Sequence, residues 1–323
     1  MRVRATAPGK AILLGEHGVV YGNSCLALAI DLHSVIEADF SDRFTVNGYA
    51  IDRAHHVFLD EALDMLYRGE DEMKDESRRP LSFATSSQIP SASNLGSSSA
   101  LTVCCVASLF VIMGEEATEE RIAQTSYEVE FGVQGVGSPM DTSTITHGGL
   151  VFSSPRRESD KVLWEVGTME EDKRWVMHEV ERSSIPKVVI GYTQTKARTM
   201  EQVLRVKRFV EGSEFAREVI REIDELARKG YKALKDGDME TFGKLMNKDH
   251  ELLSILGVNT LELQRLVDAT RESSYGSKIT GSGGGGSIIA LSDEPQETAA
   301  AIEKAGGVGY VLDVEAEGCK IEW

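Results

Sequence analysis

The stretch Ile89–Met113, IPSASNLGSSSALTVCCVASLFVIM, constrains this chain more than any other. Its first part, Pro90-Ser91-Ala92-Ser93-Asn94-Leu95-Gly96-Ser97-Ser98-Ser99, is small and polar, whereas Ala100–Met113 is almost wholly apolar. An apolar run of that length is too short to span a bilayer and suits a helix buried on every side. Serine caps helix N-termini well, which places the helix start near Ser97–Ser99. A helix N-terminus offers unpaired N–H groups and the positive end of the helix dipole, and both attract phosphate. Gly96 and its small neighbours let an anion approach the backbone. The same residues also fit an ordinary loop capping a core helix, and this stretch alone leaves both readings open.

A chain of 323 residues is long enough for two domains with their own cores. Its 41% hydrophobic and 27% charged residues are those of a soluble globular protein. The net charge of −17 argues against a nucleic-acid partner and against an anionic membrane. A bound nucleotide therefore needs a local positive field from a helix terminus, a lysine and a metal ion. Cys25, Cys104, Cys105 and Cys319 show neither CxxC spacing nor a metal-ligand rhythm, and Cys104 and Cys105 fall inside the apolar helix as core residues. With no signal-type apolar segment in MRVRATAPGK, a reduced cytoplasm is the expected compartment.

In chain order, Val3–Ala7 reads as a strand broken at Pro8-Gly9. Lys10 follows, then a buried strand, Ala11–Leu14, ending at Gly15-Glu16-His17-Gly18. A lysine, a carboxylate and a histidine lie close together here, either as a polar site or as the solvated corners of a hairpin. Strands are expected over Ala27–Asp31, Ser34–Phe40 and Leu81–Gln88, and helices over His55–Tyr67 and Glu115–Gly132. Arg68–Arg79 is a mixed charge run that reads as solvated. Gln134–Gly149 is a glycine-rich loop followed by a β-branched run, with Asp141 at the junction, where an Asx turn is the plain alternative. Leu150–Val180 is strand and hairpin material, and Ser183-Ser184 marks a domain boundary. Beyond it come a strand at Lys187–Tyr192 and helices near Met200–Phe209, Glu214–Leu234, Met239–Leu256 and Asn259–Glu272. Lys278–Leu291 reads as strand, glycine loop, strand, followed by a helix at Pro295–Ala305 and a strand at Gly309–Val314.

Gly281-Ser282-Gly283-Gly284-Gly285-Gly286 matches GxGxxG literally, but Ser287–Leu291 after it is a strand, so the dinucleotide-binding reading fails on context. No GxxxxGK[ST] sequence is present either. Successive glycines between strands imply close backbone approach to another loop or to a phosphate.

Three motifs then fall together in order: Pro8-Gly9-Lys10 with Leu14-Gly15-Glu16-His17, Leu95-Gly96-Ser97-Ser98-Ser99-Ala100, and Lys278-Ile279-Thr280-Gly281-Ser282-Gly283-Gly284-Gly285-Gly286. With them the chain resembles the GHMP-type small-molecule kinases, which include galactokinase, homoserine kinase, mevalonate kinase and phosphomevalonate kinase. The resemblance covers nearly the whole chain. Gly15–Gly22, the stretch Ser138-Pro139-Met140-Asp141-Thr142 with His147-Gly148-Gly149, and Gly257–Leu263 look like archaeal-type mevalonate kinases. One departure stands out: the family's second motif carries glycines before Leu95, where this chain has Ala92 and Asn94. Asn94 tolerates left-handed backbone geometry, whereas Ala92 is harder to explain. The loop is also similar to that of the mevalonate diphosphate decarboxylases.

The resemblance implies an α+β, two-domain GHMP kinase fold. Residues 1–184 would be similar to ribosomal protein S5 domain 2, and residues 185–323 would be ferredoxin-like with extra helices. It implies ATP and Mg²⁺, with mevalonate as substrate in isoprenoid biosynthesis, no nucleic-acid or membrane partner, and a homodimer. By position, Pro90, Ser93, Asn94, Leu95, Gly96, Ser97, Ser98, Ser99 and Ala100 would form the ATP-phosphate loop. Ser98 and Glu130 would hold the metal. Asp141 would accept the acceptor's proton, and Lys10 would keep it ionised and stabilise the transferring charge. Glu16, His17, Thr193, Gly281 and Ser282 would form the acceptor end. Another enzyme of the family, a kinase or decarboxylase acting on a different small alcohol or a phosphorylated mevalonate, is the alternative. The matching stretches hold Lys10, His17, Lys196 and Arg198, enough for one anionic end and few for two.

Overall fold

The computed structural model describes residues 2–68, 78–168, 173–181, 186–312 and 317–323. The first half of the chain supplies β1 (Val3–Leu14), β2 (Cys25–Phe40), β3 (Thr45–Val46), β4 (Tyr49–Ala50), α1 (Val57–Leu63), β5 (Leu81–Ser87), α2 (Ser97–Met113), α3 (Glu119–Gln134), α4 (Met140–His147), β6 (Leu150–Ser154), β7 (Lys161–Thr168) and β8 (Lys173–Glu179). Among the described residues its strands form one sheet in the order β4-β3-β5-β2-β6-β8-β7, with β1 along the other edge of β2.

Two strands run on where breaks are expected. β1 passes through Pro8-Gly9, and the ladder to β2 shifts register between those residues, so the proline, with no N–H to donate, sits at the irregularity. β2 likewise continues through Leu32-His33. The helix expected over His55–Tyr67 is α1 followed by a π turn at Asp64–Arg68. Residues 69–77 of the charge run lie outside the described residues.

α2 starts where the sequence places it, for a different reason. Gly96, at φ 78°, holds the cap position, no side chain caps the helix, and the serines fill its first turn. α2 is apolar all round because it packs on β1 and β2 below and on α1, α3 and α4 beside it. α3 is capped by Thr118, which accepts from Arg121 N, and runs past Gly132 to Gln134. The β-branched run after Pro139 is a helix, α4. Thr142 to Thr146 are buried on every side, and the hydroxyls of Ser143 and Thr144 donate back to the carbonyls of Pro139 and Met140 at 2.6 and 2.8 Å. Tertiary burial outweighs the modest helix preference of these residues.

The second half supplies β9 (Lys187–Tyr192), α5 (Thr199–Gly212), α6 (Glu214–Lys235), α7 (Met239–Ile255), α8 (Leu261–Thr270), β10 (Gly276–Thr280), β11 (Ser287–Ser292), α9 (Pro295–Lys304), β12 (Val308–Leu312) and β13 (Lys320–Glu322). The strands β10-β11-β9-β12 form an antiparallel sheet with the ferredoxin-like order, and α5–α8 are inserted between its first two strands in sequence. The end of the strand expected over Gly309–Val314, and the boundary expected at 184/185, lie outside the described residues. β13 returns to pair with β1 in the first sheet, an element not read from the sequence. One apolar cluster runs from α2 and the first sheet into α6, α7 and the second sheet, so the halves share a core. Close approach between them is tight: a Cβ at Gly230 on α6 would lie 2.1 Å from Leu14 Cδ1.

Candidate active site

A cleft of about 460 Å³ lies where β1, the serine loop, α3, α4, α5 and the glycine loop converge. Lys10 enters it from β1. The strand is held against the serine loop by Lys10 N donating to Leu95 O at 3.0 Å, and Gly9 leaves room for that contact, since a Cβ there would sit 2.8 Å from the same oxygen. The Lys10 side chain is buried. Its Nζ lies 3.1 Å from Asp141 Oδ2 and donates to Asn94 O at 3.2 Å. Asp141 sits in the first turn of α4, so its carboxylate meets both a lysine and a helix N-terminus.

Glu130 reaches the cleft from the last part of α3. Burial pushes its carboxyl up to about 7, against a hydrogen bond with Ser99 that favours the ionised form. Its Oε1 is buried with no hydrogen-bond partner. Ser99 thus takes the contact with Glu130, while Ser98 lines the cleft with an exposed side chain. Among the described residues no group of three or more His, Cys, Asp or Glu side chains could hold a metal ion by itself. An orphaned carboxylate oxygen beside serine hydroxyls nevertheless fits Mg²⁺, which takes hard oxygen ligands and keeps several waters.

The glycine loop closes over the serine loop. Asn94 stitches them: its Nδ2 donates to Gly283 O and Gly285 O at 3.4 and 3.2 Å, and its Oδ1 accepts from Ser282 Oγ at 3.0 Å. A Cβ at Gly281 or Gly286 would lie 2.8 or 2.7 Å from the Asn94 side chain, so these two positions have no room for one. Asn94 is left-handed at φ 65°, and so is Ala92 at φ 55°. The two residues standing where glycines are expected are thus the two that need positive φ. Thr280 Oγ1 bonds both N and O of Ile12, at 2.8 and 3.0 Å, and fixes the root of the glycine loop beside Lys10.

At the other end of the cleft, His17 (φ 60°) places Nε2 3.2 Å from Ser282 O. Burial pulls its imidazole down to about 4, so it is neutral at pH 7, and because a carbonyl only accepts, Nε2 carries the proton. Glu16 is 1% exposed and pairs with Lys278. Lys278 also donates to Ile279 O at 2.7 Å and lies 3.3 Å from Asp249 Oδ2. Burial and then the charge of Asp249 push the Glu16 carboxyl up to about 8, against the pull of Lys278.

The cleft wall thus gathers Lys10, Glu16, His17, Ser93, Asn94, Gly96 to Ser99, Glu130, Asp141, Gly281 and Ser282. Pro90, Leu95, Ala100 and Thr193 are not in the wall. Leu95 and Ala100 are core, and Thr193 spends its hydroxyl on Gly286 O at 2.7 Å. Lys196 and Arg198 are exposed and off the wall, which leaves Lys10 as its lysine or arginine among the described residues. Lys278 and Asp249 were missed as functional candidates. A signal existed for Asp249, which continues the apolar stripe of Met239, Phe242 and Met246 on α7.

The family model for the GHMP kinases N terminal domain matches residues 59–149, and that for GHMP kinases C terminal matches residues 231–310. A mevalonate kinase of Thermococcus sibiricus is 33% identical over 353 aligned positions, covering 100% of this chain and 99% of that one. The crystal structure of the Methanococcus jannaschii mevalonate kinase is similar with a TM-score of 0.73 at 27% identity, covering 100% of this chain and 98% of that one. The L. major mevalonate kinase in complex with R-mevalonate shares the fold, with a TM-score of 0.76 at 21% identity over 97% of this chain and 96% of that one. With both parts of the family matched in order and a relative aligned end to end, the chain belongs to the GHMP kinases.

Proposed function

We propose that the protein transfers the γ-phosphoryl group of ATP to the 5-hydroxyl of mevalonate, giving 5-phosphomevalonate. One observation carries the chemistry: Lys10 Nζ stands 3.1 Å from Asp141 Oδ2, beside the open N-terminus of α2. Asp141 orients the acceptor hydroxyl and takes its proton as that oxygen becomes the nucleophile. Lys10 keeps Asp141 ionised and offsets negative charge on the transferring group. The backbone N–H groups of Ser97, Ser98 and Ser99 receive phosphate oxygens at the positive end of α2. Glu130 and Ser98 would hold Mg²⁺, which would supply neutralisation of phosphate charge. Asn94 and the glycine loop hold the serine loop in place.

The acceptor follows from charge. With Lys10, engaged by Asp141 and the transferring group, the lysine or arginine of the wall among the described residues, the cleft offers no cation for an acceptor that brings a phosphate of its own. The 33% identical full-length relative, a mevalonate kinase, supports the same choice. The test is kcat/KM for mevalonate, 5-phosphomevalonate, galactose and homoserine under one set of conditions. Mevalonate is expected to exceed the others by at least about tenfold. Any other acceptor that beats it replaces this assignment while leaving the kinase reading intact.

A further inference from the structure

Glu16, Lys278 and Asp249 form a cluster of three buried charged groups, 1%, 0% and 0% exposed, contributed by the turn after β1, by β10 and by α7. The close packing of α7 on β10 fixes it: a Cβ on Gly243 would lie 2.1 Å from Tyr275 O, and one on Gly276 would lie 2.1 Å from Gly243 O. Lys278 Nζ donates to Glu16 Oε1 and to Ile279 O, and faces Asp249 Oδ2 at 3.3 Å without hydrogen-bond alignment. Glu16 Oε2 has no hydrogen-bond partner, and neither has either oxygen of Asp249.

Two carboxylates on one ammonium leave an uncompensated buried charge, which is strongly unfavourable unless a proton is added. Apolar residues of similar size would fill such a place at no loss of stability, so stability alone does not account for the cluster. Glu16 lines the cleft, whereas Lys278 and Asp249 stand behind it. With Oε1 held by Lys278, Oε2, itself buried, is the oxygen of Glu16 whose hydrogen-bonding capacity is unspent.

We propose that Lys278 and Asp249 are positioning residues for the acceptor: Lys278 fixes the Glu16 carboxyl through Oε1, and Asp249 keeps a proton on Oε2, which then donates to an oxygen of the acceptor. The inference rests on the acceptor reading given above, in which the bound alcohol brings carboxylate and hydroxyl oxygens. One proton brings the cluster to charge balance, one cation against one anion. The groups facing Glu16 agree with this. Lys278 on β10 opposes protonation, Asp249 on α7 favours it, His17 beside it is neutral, and the Cys25 thiol on β2 is held protonated by burial. The raised Glu16 carboxyl, at about 8, sets where the proton leaves.

The experiment is initial-rate kinetics on the full-length protein from pH 6 to 10, with mevalonate and ATP varied separately. Wild type, Asp249→Asn, Lys278→Met and Glu16→Gln are compared, with melting temperatures alongside. For wild type, kcat/KM for mevalonate falls as pH rises through about 8. In Asp249→Asn the fall begins at lower pH, with KM for ATP within about twofold of wild type. Lys278→Met raises KM for mevalonate by about ten- to a hundredfold, the loss expected when a charge-assisted hydrogen bond goes. Glu16→Gln, whose amide donates but does not titrate, loses the alkaline fall whatever its rate. An unmoved alkaline limb in Asp249→Asn, or equal rises in both KM values, overturns the positioning role. If Asp249→Asn does not fold, retention of the alkaline limb in Glu16→Gln overturns it instead. A wild type that prefers another alcohol refutes the mevalonate assignment, and the same pH series run with that alcohol still decides this one.

Discussion

Lys10 and Asp141 meet because two buried elements converge, and each residue carries consequences of its own. Asp141→Asn keeps the shape of the side chain and removes the charge proposed to accept the proton. It is expected to lower kcat by roughly 10²–10⁴-fold with KM for ATP nearly unchanged. A single-turnover assay checks this, and a rate within tenfold of wild type would remove Asp141 from the mechanism. Glu130 titrates in the opposite sense from a paired carboxylate. Its folded value is raised from 4.5 to about 7 by burial, so its contribution to stability is fully present below about 4.5 and is lost as pH rises through about 7. Without Mg²⁺ the melting temperature is therefore expected to drop over that window. Glu130→Gln should flatten that part of the drop and raise the Mg²⁺ concentration for half-maximal rate severalfold. A pH series of melting curves and a Mg²⁺ titration read the two effects, and no change in either would take Glu130 out of the metal site.

At the scale of elements, the serine loop and α4 show local preference yielding to packing. The loop needs left-handed backbone at positions 92 and 94 because it must fold back under the glycine loop, where Asn94 bonds Gly283 and Gly285, and Ala92 O accepts from Ala197 N at 2.8 Å. Asn meets that need at low cost and Ala does not. Ala92→Gly is expected to stabilise the protein by up to about 1 kcal/mol, the left-handed penalty less the greater entropy of glycine in the unfolded chain. Chemical denaturation measures this, and a loss of stability would mean that the Ala92 methyl contributes packing worth more than the strain. α4 makes the complementary point. Its threonines and its serine form a helix because the sheet, α2 and α3 enclose them, and the indole N–H of Trp164 donates to Ser143 Oγ at 2.9 Å.

At the scale of the molecule, the two sheets act as one body through glycine contacts and a shared core. α6 lies on β1 at Gly230, and α7 lies on β10 at Gly243. Gly243→Ala would set a methyl against the Tyr275 carbonyl and push α7 from β10, with a cost of about 3 kcal/mol or more. Because Asp249 and Lys278 ride on those two elements, the same change should raise KM for the acceptor more than KM for ATP. Melting temperature and the two KM values test it together, and a variant as stable as wild type would show that the contact is loose. The net charge of −17 belongs to this scale too: on the proposed reading, phosphates would meet a helix N-terminus and one buried lysine within an acidic molecule.

The sequence by itself determined the element types in the strongly patterned stretches. It also determined the helix after the serine loop, the glycine loop between two strands, and many of the residues that meet in the cleft, though not that Pro90, Leu95, Ala100 and Thr193 lie off its wall. These are legible because apolar periodicity and glycine placement are local properties of the chain. Tertiary structure alone decided the rest. The β-branched run carrying Asp141 became a helix because it is enclosed on every side, and β1 passed through Pro8-Gly9 because β2 accommodates a register shift there. β13 joined β1 from the far end of the chain, and Lys278 and Asp249 came to stand behind Glu16. Each depends on which distant segment lies alongside, and pairings across such sequence separations leave no local periodicity to read.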